Sequence, residues 1–478
     1  MSDQAPRASH DSGTPENLLK FMMSGWATPP QTPASPIEGI ERFAARRDAL
    51  RAAFPGETLI VPTGHEKVRA NDTSYRFRPG TEFYYLTGNL EPDNVLVLHA
   101  GGVVLYVEPN PGKTDATFFT DRVKGELWVG PRLGLRQTAE RYGIATKALA
   151  ELGDDLTALL GGGAPWRALR GIDPVLDAAL DASYPAQAER DAALATALSE
   201  QRLLKDELEI RELRRAIAAT QQGFDDVVRA LPTAKTERYV EGVFGMRARI
   251  DGNDVGYGTI AASGPNACIL HWTRNDRDLH EGELLLLDAG VEANTLYTAD
   301  VTRTIPLSGR FSPEQRAIYE LVLAAQEAGF AQCAPGKDFL DPNRAAMRVL
   351  ADGLQRLGIL PDAEEALRDE NLFYKRYSLH NVSHMLGLDV HDCAQARAET
   401  YKFGKLEAGM VLTVEPGLYF QPDDLTVPAR YRGIGVRIED DVLITPTGVD
   451  ILSAAIPRTV EAIETWVTTA REITPNRT

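Results

Sequence analysis

Three histidines fall within twelve residues, in His380-Asn-Val-Ser-His384-Met-Leu-Gly-Leu-Asp-Val-His391. Five of the chain's eight histidines lie between positions 271 and 391, a clustering that chance surface residues would not produce. Imidazole titrates near neutral pH and is the commonest nitrogen ligand of protein-bound metals. Four carboxylates stand where strands should bury them. Asp288 follows Leu284-Leu285-Leu286-Leu287, and Asp300 lies in the β-branched run Tyr297-Thr298-Ala299-Asp300-Val301-Thr302-Arg303-Thr304. Glu415 ends Met410-Val411-Leu412-Thr413-Val414, and Glu439 ends Gly435-Val436-Arg437-Ile438-Glu439. An unpaired acid in an apolar strand is costly, so such acids are paired or sit on a metal. One of them could be an ion pair; four beside a histidine cluster point to a metal site. Carboxylates and an imidazole without thiolate suit Mn²⁺, Co²⁺ or Zn²⁺. A single hydrolytic zinc takes three protein ligands. The larger donor set fits two ions about 3.5–4 Å apart that share carboxylates.

The elements that must hold these residues can be read from pattern. Residues 1–36 contain six prolines and read as an extended arm with a short helix near Glu16–Met23. Apolar spacing at Ile40, Phe43, Ala44 and Leu50 predicts a helix that stops at Phe54-Pro55-Gly56. Thr58–Pro62 and Phe83–Thr87 read as strands, and Val95–Leu98 with Val103–Val107 as a hairpin. Helical patterns cover 137–152 and 186–202. From 207 a helix carries Ile210, Leu213 and Ile217 on one face, with acids in its first turn. Beyond it, strands at Glu283–Asp288 and Met410–Val414 alternate with helices such as Pro313–Cys333. The expected division is an arm (1–36), a first domain (37–203), a second domain (204–470) and a tail (471–478). A short echo links Ala218-Ala219-x-x-x-Gly223-Phe224 to Ala324-Ala325-x-x-x-Gly329-Phe330, as two related halves would produce.

Composition narrows the function classes. The 478 residues are 43% hydrophobic and 25% charged, which is ordinary globular composition. The net charge of −17 disfavours nucleic acid as a partner. No apolar run approaches the roughly 18 residues of a membrane span, and no secretory leader pattern opens the chain. Cys268, Cys333 and Cys393 cannot all pair and lack CxxC spacing, so the expected setting is a reducing cytoplasm. Cys268 and Cys393 read as buried small apolar residues.

Six motifs in order make a resemblance visible. They are Ile269-Leu-His271-Trp-Thr, Leu287-Asp288-Ala-Gly290, Ala299-Asp300-Val-Thr-Arg-Thr304, His380-x-x-x-His384-x-Leu-Gly-Leu-Asp-Val-His391-Asp, Thr413-Val-Glu415-Pro-Gly417 and Gly433-Ile-Gly435-Val-Arg437-Ile-Glu439-Asp. With these the chain resembles the aminopeptidase P (Xaa-Pro aminopeptidase) branch of the pita-bread dinuclear metallopeptidases. Prolidase, methionine aminopeptidase and creatinase are the relatives of that branch. Asp72-Thr-Ser-Tyr75 and Phe83-Tyr-Tyr-Leu-Thr-Gly88-Asn-Leu-Glu-Pro92 resemble the family's first domain, so the likeness spans residues 40 to 460.

The resemblance implies an α/β (α+β) chain, with an N-terminal α/β domain followed by a pita-bread metallopeptidase domain. It implies two divalent ions, manganese first, on Asp288, Asp300, His384, Glu415 and Glu439, with Asp300 and Glu439 bridging. Glu415 would also shuttle the proton. His271 and His391 would be active-site histidines that do not ligate, and His380, Arg437 and Tyr419 would face the proline side of the substrate. The implied reaction removes the first residue of peptides whose second residue is proline, by a hydroxide held between the ions. The expected assembly is a homo-oligomer, dimer or tetramer. Three readings compete: an Xaa-Pro dipeptidase, a metal-free creatinase-like hydrolase and a non-catalytic binding protein on the same fold. In one respect the chain departs from the family: Asp288 and Asp300 are twelve apart where eleven is usual, and the Glu292–Leu296 turn is expected to absorb the extra residue.

Overall fold

The computed structural model describes residues 13–27, 33–71 and 73–473. The prolines at 6, 29 and 30, Asp72 of the Asp72–Tyr75 motif, and residues 474–478 of the expected tail lie outside the described residues. The chain divides into two compact units, Met1–Leu198 and Ser199–Thr478.

The first unit is built on a five-stranded mixed sheet. Its spatial order is Ala145–Ala148, Gly102–Val107, Val95–His99, Thr58–Pro62, Trp166–Ala168. The three central strands pair antiparallel and each outer strand pairs parallel with its neighbour. Alternate residues Ile60, Val95, Val97 and Tyr106 pack against Leu152, Leu156 and Leu160 of the helix Leu152–Leu160. The expected strand, the hairpin and the helices at Glu16–Met22, Ile40–Ala53 and Ala188–Gln201 are present.

Two expectations fail here. Phe83–Thr87 is not a strand but most of a helix, Thr81–Thr87. Six of its seven residues are buried, all but Glu82, and a short run buried on nearly every side carries no period to separate helix from strand. The decisive signal was Gly88, whose left-handed φ of 68° caps the helix while its N–H bonds the Tyr84 carbonyl at 2.7 Å. The helix expected over 137–152 spans only Leu135–Tyr142, ends at Gly143 (φ 62°), and gives way to the edge strand Ala145–Ala148.

The second unit holds two antiparallel three-stranded sheets, Val301–Pro306/Leu284–Ala289/Ile260–Ser263 and Val411–Val414/Asp440–Thr445/Gly448–Ile451. The short pair Gly417–Tyr419/Gly435–Arg437 accompanies them. Helices Glu207–Ala230 and Glu237–Asp251 pack on one another, as do Pro313–Phe330 and Asp341–Arg356. The echoed glycines mark close approach in each half. A Cβ at Gly223 would fall 2.6 Å from the Phe244 ring, and one at Gly329 would fall 2.9 Å from Val414. The hairpin bearing Asp288 and Asp300 keeps one register from Leu284↔Pro306 to the Glu292↔Thr298 bridge. Its twelve-residue spacing closes at the tip, where Ala293 N–H bonds the Tyr297 carbonyl and Leu296 takes a φ of 65°. No helix among the described residues is long and apolar enough to cross a membrane.

Candidate metal centre and active site

Antiparallel register sets the first two acids side by side. Asp288 sits in the strand Leu284–Ala289 opposite Thr302, two residues past Asp300. The second sheet is tied across to them. Glu439 N–H donates to the Thr302 carbonyl at 3.1 Å, and the Thr302 hydroxyl donates to Glu439 Oε2 at 2.6 Å. His384 and Glu415 are held together by backbone bonds. Thr413 N–H donates to the His384 carbonyl at 3.0 Å, and Glu415 N–H donates to the Val382 carbonyl at 2.8 Å.

The result is one cluster. Ligand atoms of Asp300, His384 and Glu439 all lie within 4.8 Å of one another. His384 Nε2 is 3.4 Å from Asp300 Oδ2 and 3.6 Å from Glu415 Oε1. Asp288 turns to a guanidinium instead, with Arg437 Nη2 donating to its Oδ2 at 2.5 Å. Arg437 also donates to the Tyr419 hydroxyl at 2.9 Å and the Thr302 hydroxyl at 3.2 Å, all of this buried. His380 Nδ1 faces its neighbour's carbonyl, Asn381 O, at 2.9 Å, which makes Nε2 the acceptor for the Tyr419 hydroxyl at 2.7 Å. His391 stacks edge-on against His384, with ring centroids 4.4 Å apart. His271 is exposed, in the loop after Gly264–Cys268.

Three participants carried no signal in the sequence reading. Tyr257 places its hydroxyl 2.6 Å from Asp288 Oδ1 and 2.5 Å from Asp300 Oδ1. Thr302 braces both Glu439 and Arg437. Asp441 accepts the Asp300 N–H at 3.1 Å through Oδ2, while its buried Oδ1 has no partner among the described residues. The acidic run Glu439-Asp440-Asp441 was the available clue, but a sequence cannot say which acids face inward. Asp440 pairs with the buried Arg303 at 2.7 Å.

Electrostatics shows what the cluster lacks. Burial pushes the carboxyls of Asp288, Glu439 and Asp441 above their ordinary values, and neighbouring acids, Asp300 among them, add to it. Glu415 is pushed up to about 8, by burial first, against the pull of His384 and Arg437. His384 is raised to about 9, because Asp300 and Glu415 outweigh its burial. Burial holds His380 down at about 4. Five carboxylates thus crowd around Arg437 and His384, with His380 and His391 alongside. This oxygen-rich, thiolate-free donor set fits a hard or borderline cation.

Known proteins give the cluster a family. Residues 211–446 match metallopeptidase family M24, and residues 43–165 match the aminopeptidase P N-terminal domain. The chain is 50% identical over 461 residues to Xaa-Pro aminopeptidase 1 of Streptomyces coelicolor, covering 95% of this chain and 92% of that one. It is 35% identical to the Xaa-Pro aminopeptidase of Escherichia coli, over 90% of this chain and 98% of the other. The structure of Escherichia coli aminopeptidase P with the inhibitor Pro-Leu superposes with a TM-score of 0.82 at 33% identity, covering 92% of this chain and all of that one. Aminopeptidase PepP of Pseudomonas aeruginosa gives 0.81 at 35% identity, over 91% and 99%. The chain therefore belongs to metallopeptidase family M24, in its aminopeptidase P branch, with a pita-bread catalytic fold behind an aminopeptidase P N-terminal domain.

Proposed function

We infer that this chain hydrolyses the first peptide bond of peptides whose second residue is proline, using divalent metal held by Asp288, Asp300, His384, Glu415 and Glu439. The observation that carries the reading is the convergence of Asp300, His384 and Glu439 in a buried, acid-rich cluster, with Glu415 3.6 Å from the imidazole. Two ions there, with Asp300 and Glu439 bridging, would activate water and polarise the scissile carbonyl. Manganese is the metal we assign.

The chain's own residues do the rest. Glu415 would take a proton from the attacking water and return it to the departing nitrogen. His271 and His391 flank the cluster and stabilise charge that develops on the carbonyl oxygen. His380, Tyr419 and Arg437 form a hydrogen-bonded wall on the proline side, with Arg437 donating to the Tyr419 hydroxyl and Tyr419 to His380. A scissile nitrogen that belongs to proline has no N–H, so a pocket offering no acceptor there suits a ring. Packing alone discriminates weakly, by about 1–3 kcal/mol, so orientation of the rigid X–Pro bond must supply the remainder.

The expected domain limits remain 37–203 and 204–470, between the arm and the tail. Three buried, mutually unpaired thiols fit a cytoplasmic setting. A homo-oligomer, dimer or tetramer, is the assembly we assign; exposed Val123, Leu127, Trp128 and Val129 offer it an apolar face. The test is cleavage of matched Xaa-Pro, Xaa-Pro-Xaa and longer peptides, followed by mass spectrometry. Release of the first residue from the longer peptides, with Xaa-Ala-Xaa controls left intact, is the expected result. Turnover confined to Xaa-Pro dipeptides would make the chain a dipeptidase instead.

A further inference from the structure

The chemistry above leaves three charged side chains without a task, and they are among the most deeply buried in the molecule. Lys205 is 0% exposed, Asp392 1% and Arg202 3%. Arg202 Nε donates to Asp392 Oδ1 at 3.0 Å. Lys205 Nζ donates to Asp392 Oδ2 at 3.1 Å and to the Arg202 carbonyl at 2.7 Å. Burial alone would push the Asp392 carboxyl up; the two cations overcome it and hold it below the ordinary carboxylate value. A buried ion triad is a poor way to gain stability, since well-packed apolar residues often do as well or better. Its use must lie in what it fixes.

What it fixes is the loop between two active-site histidines. Asp392 directly follows His391, and its N–H donates to the Met385 carbonyl at 3.0 Å. The same carbonyl accepts His384 Nδ1–H at 3.1 Å. That bond selects the tautomer whose Nε2 lone pair points at Asp300 and Glu415, where a metal would sit. The turn at Gly387 is folded tightly onto the pair: a Cβ there would fall 2.1 Å from Asp392 Oδ2 and 3.0 Å from Lys205 Cε.

We propose that the Lys205–Asp392 ion pair, braced by Arg202, is a positioning device: it fixes the Met385 carbonyl, and through it presents His384 Nε2 to the metal and His391 to the substrate. The inference rests on the metallopeptidase reading above. None of the three residues touches substrate. They are positioning residues, and their removal should alter metal affinity and turnover together.

Two full-length variants decide it, each compared with the wild type after metal loading. In Lys205→Met, metal affinity measured by chelator competition should weaken about 10- to 100-fold, the usual cost of losing an outer partner of a metal ligand. Turnover at saturating metal should fall by a similar factor while KM stays within about threefold, because substrate contacts are untouched. A purely structural role would lower the melting temperature yet leave metal affinity and kcat per folded molecule at wild-type values, and that result overturns the proposal. Lys205→Met/Asp392→Asn removes both charges of the pair with side chains of similar size, and its melting temperature checks that the chain still folds. Low metal affinity and low kcat in the double variant support positioning; their full recovery overturns it. The wild-type control carries the underlying reading separately. If wild type binds no metal or spares Xaa-Pro-Xaa peptides, that reading fails on its own, whatever the variants do.

Discussion

At the scale of single residues, the site divides into groups that would hold metal and groups that would act on charge. Asp300 lies within the ligand cluster and also touches Tyr257 and His384. Asp300→Asn should therefore lower bound metal and activity together, as read by elemental analysis and peptide assay; full occupancy by two ions would remove it as a bridge. His271 and His391 are exposed and bond no carboxylate of the cluster. His271→Ala and His391→Ala should keep the metal and lower kcat about 10²- to 10³-fold, the range for losing one group that stabilises a developing oxyanion. Loss of metal in both variants would place them among the ligands. The four acids were legible in the sequence because each sits in or beside an apolar run that announces burial, and the histidines because they cluster. Tyr257 and Thr302 were not: a hydroxyl's importance depends on what lies across the fold from it, and that is a matter of register between strands.

At the scale of elements, the strands and long helices followed from period and punctuation, and the errors fell where a left-handed glycine, Gly88 or Gly143, ends a short helix. The helix Thr81–Thr87 is the clearest case, since a strand of the same residues would bury as much apolar surface. Another element carries a pH dependence. His65 lies between two acids, with Nδ1 2.5 Å from Asp93 and Nε2 3.0 Å from Asp173, the N-cap of the helix Pro174–Ser183. Hydrogen bonds donated to Asp173 and then to Asp93 raise its pKa from 6.5 to about 10. A histidine raised on folding stabilises the native state fully below about 6.5, and that contribution fades as pH climbs towards 10. Because His65 is 40% exposed, solvent screens much of it. The melting-temperature gap between wild type and His65→Gln should be widest near pH 6 and close progressively by about pH 10. A gap that widens with pH would contradict the clamp.

At the scale of the whole molecule, a net charge of −17 is combined with an acid cluster at the heart of the second unit. Without metal that cluster is a liability that grows with pH. Glu415, raised to about 8, binds more protons folded than unfolded between its ordinary value and 8, and His384, raised to about 9, does the same above 6.5. Both contributions lower stability as pH rises from about 6.5 to 8. His380, held at about 4, is neutral there when folded, and the proton its unfolded form sheds just above 6.5 is a smaller term of opposite sign. Chelated protein should lose activity, and its melting temperature should fall across that window. Added Mn²⁺ should restore both and flatten the slope. Calorimetry with and without chelator measures it; a metal-free protein whose stability rises over the same range would refute the charge imbalance.

One hydrogen bond joins the two sides of this cluster: Thr298 N–H, near the tip of the Asp288–Asp300 hairpin, donates to the Gly387 carbonyl in the histidine loop at 3.0 Å. The hairpin cannot swing away from the loop without breaking it. That makes a single amide a gauge of how the site opens. In hydrogen–deuterium exchange, Thr298 should be slow while metal is bound and should speed up in step with chelation. Its exchange rate would then time the opening through which metal enters and leaves.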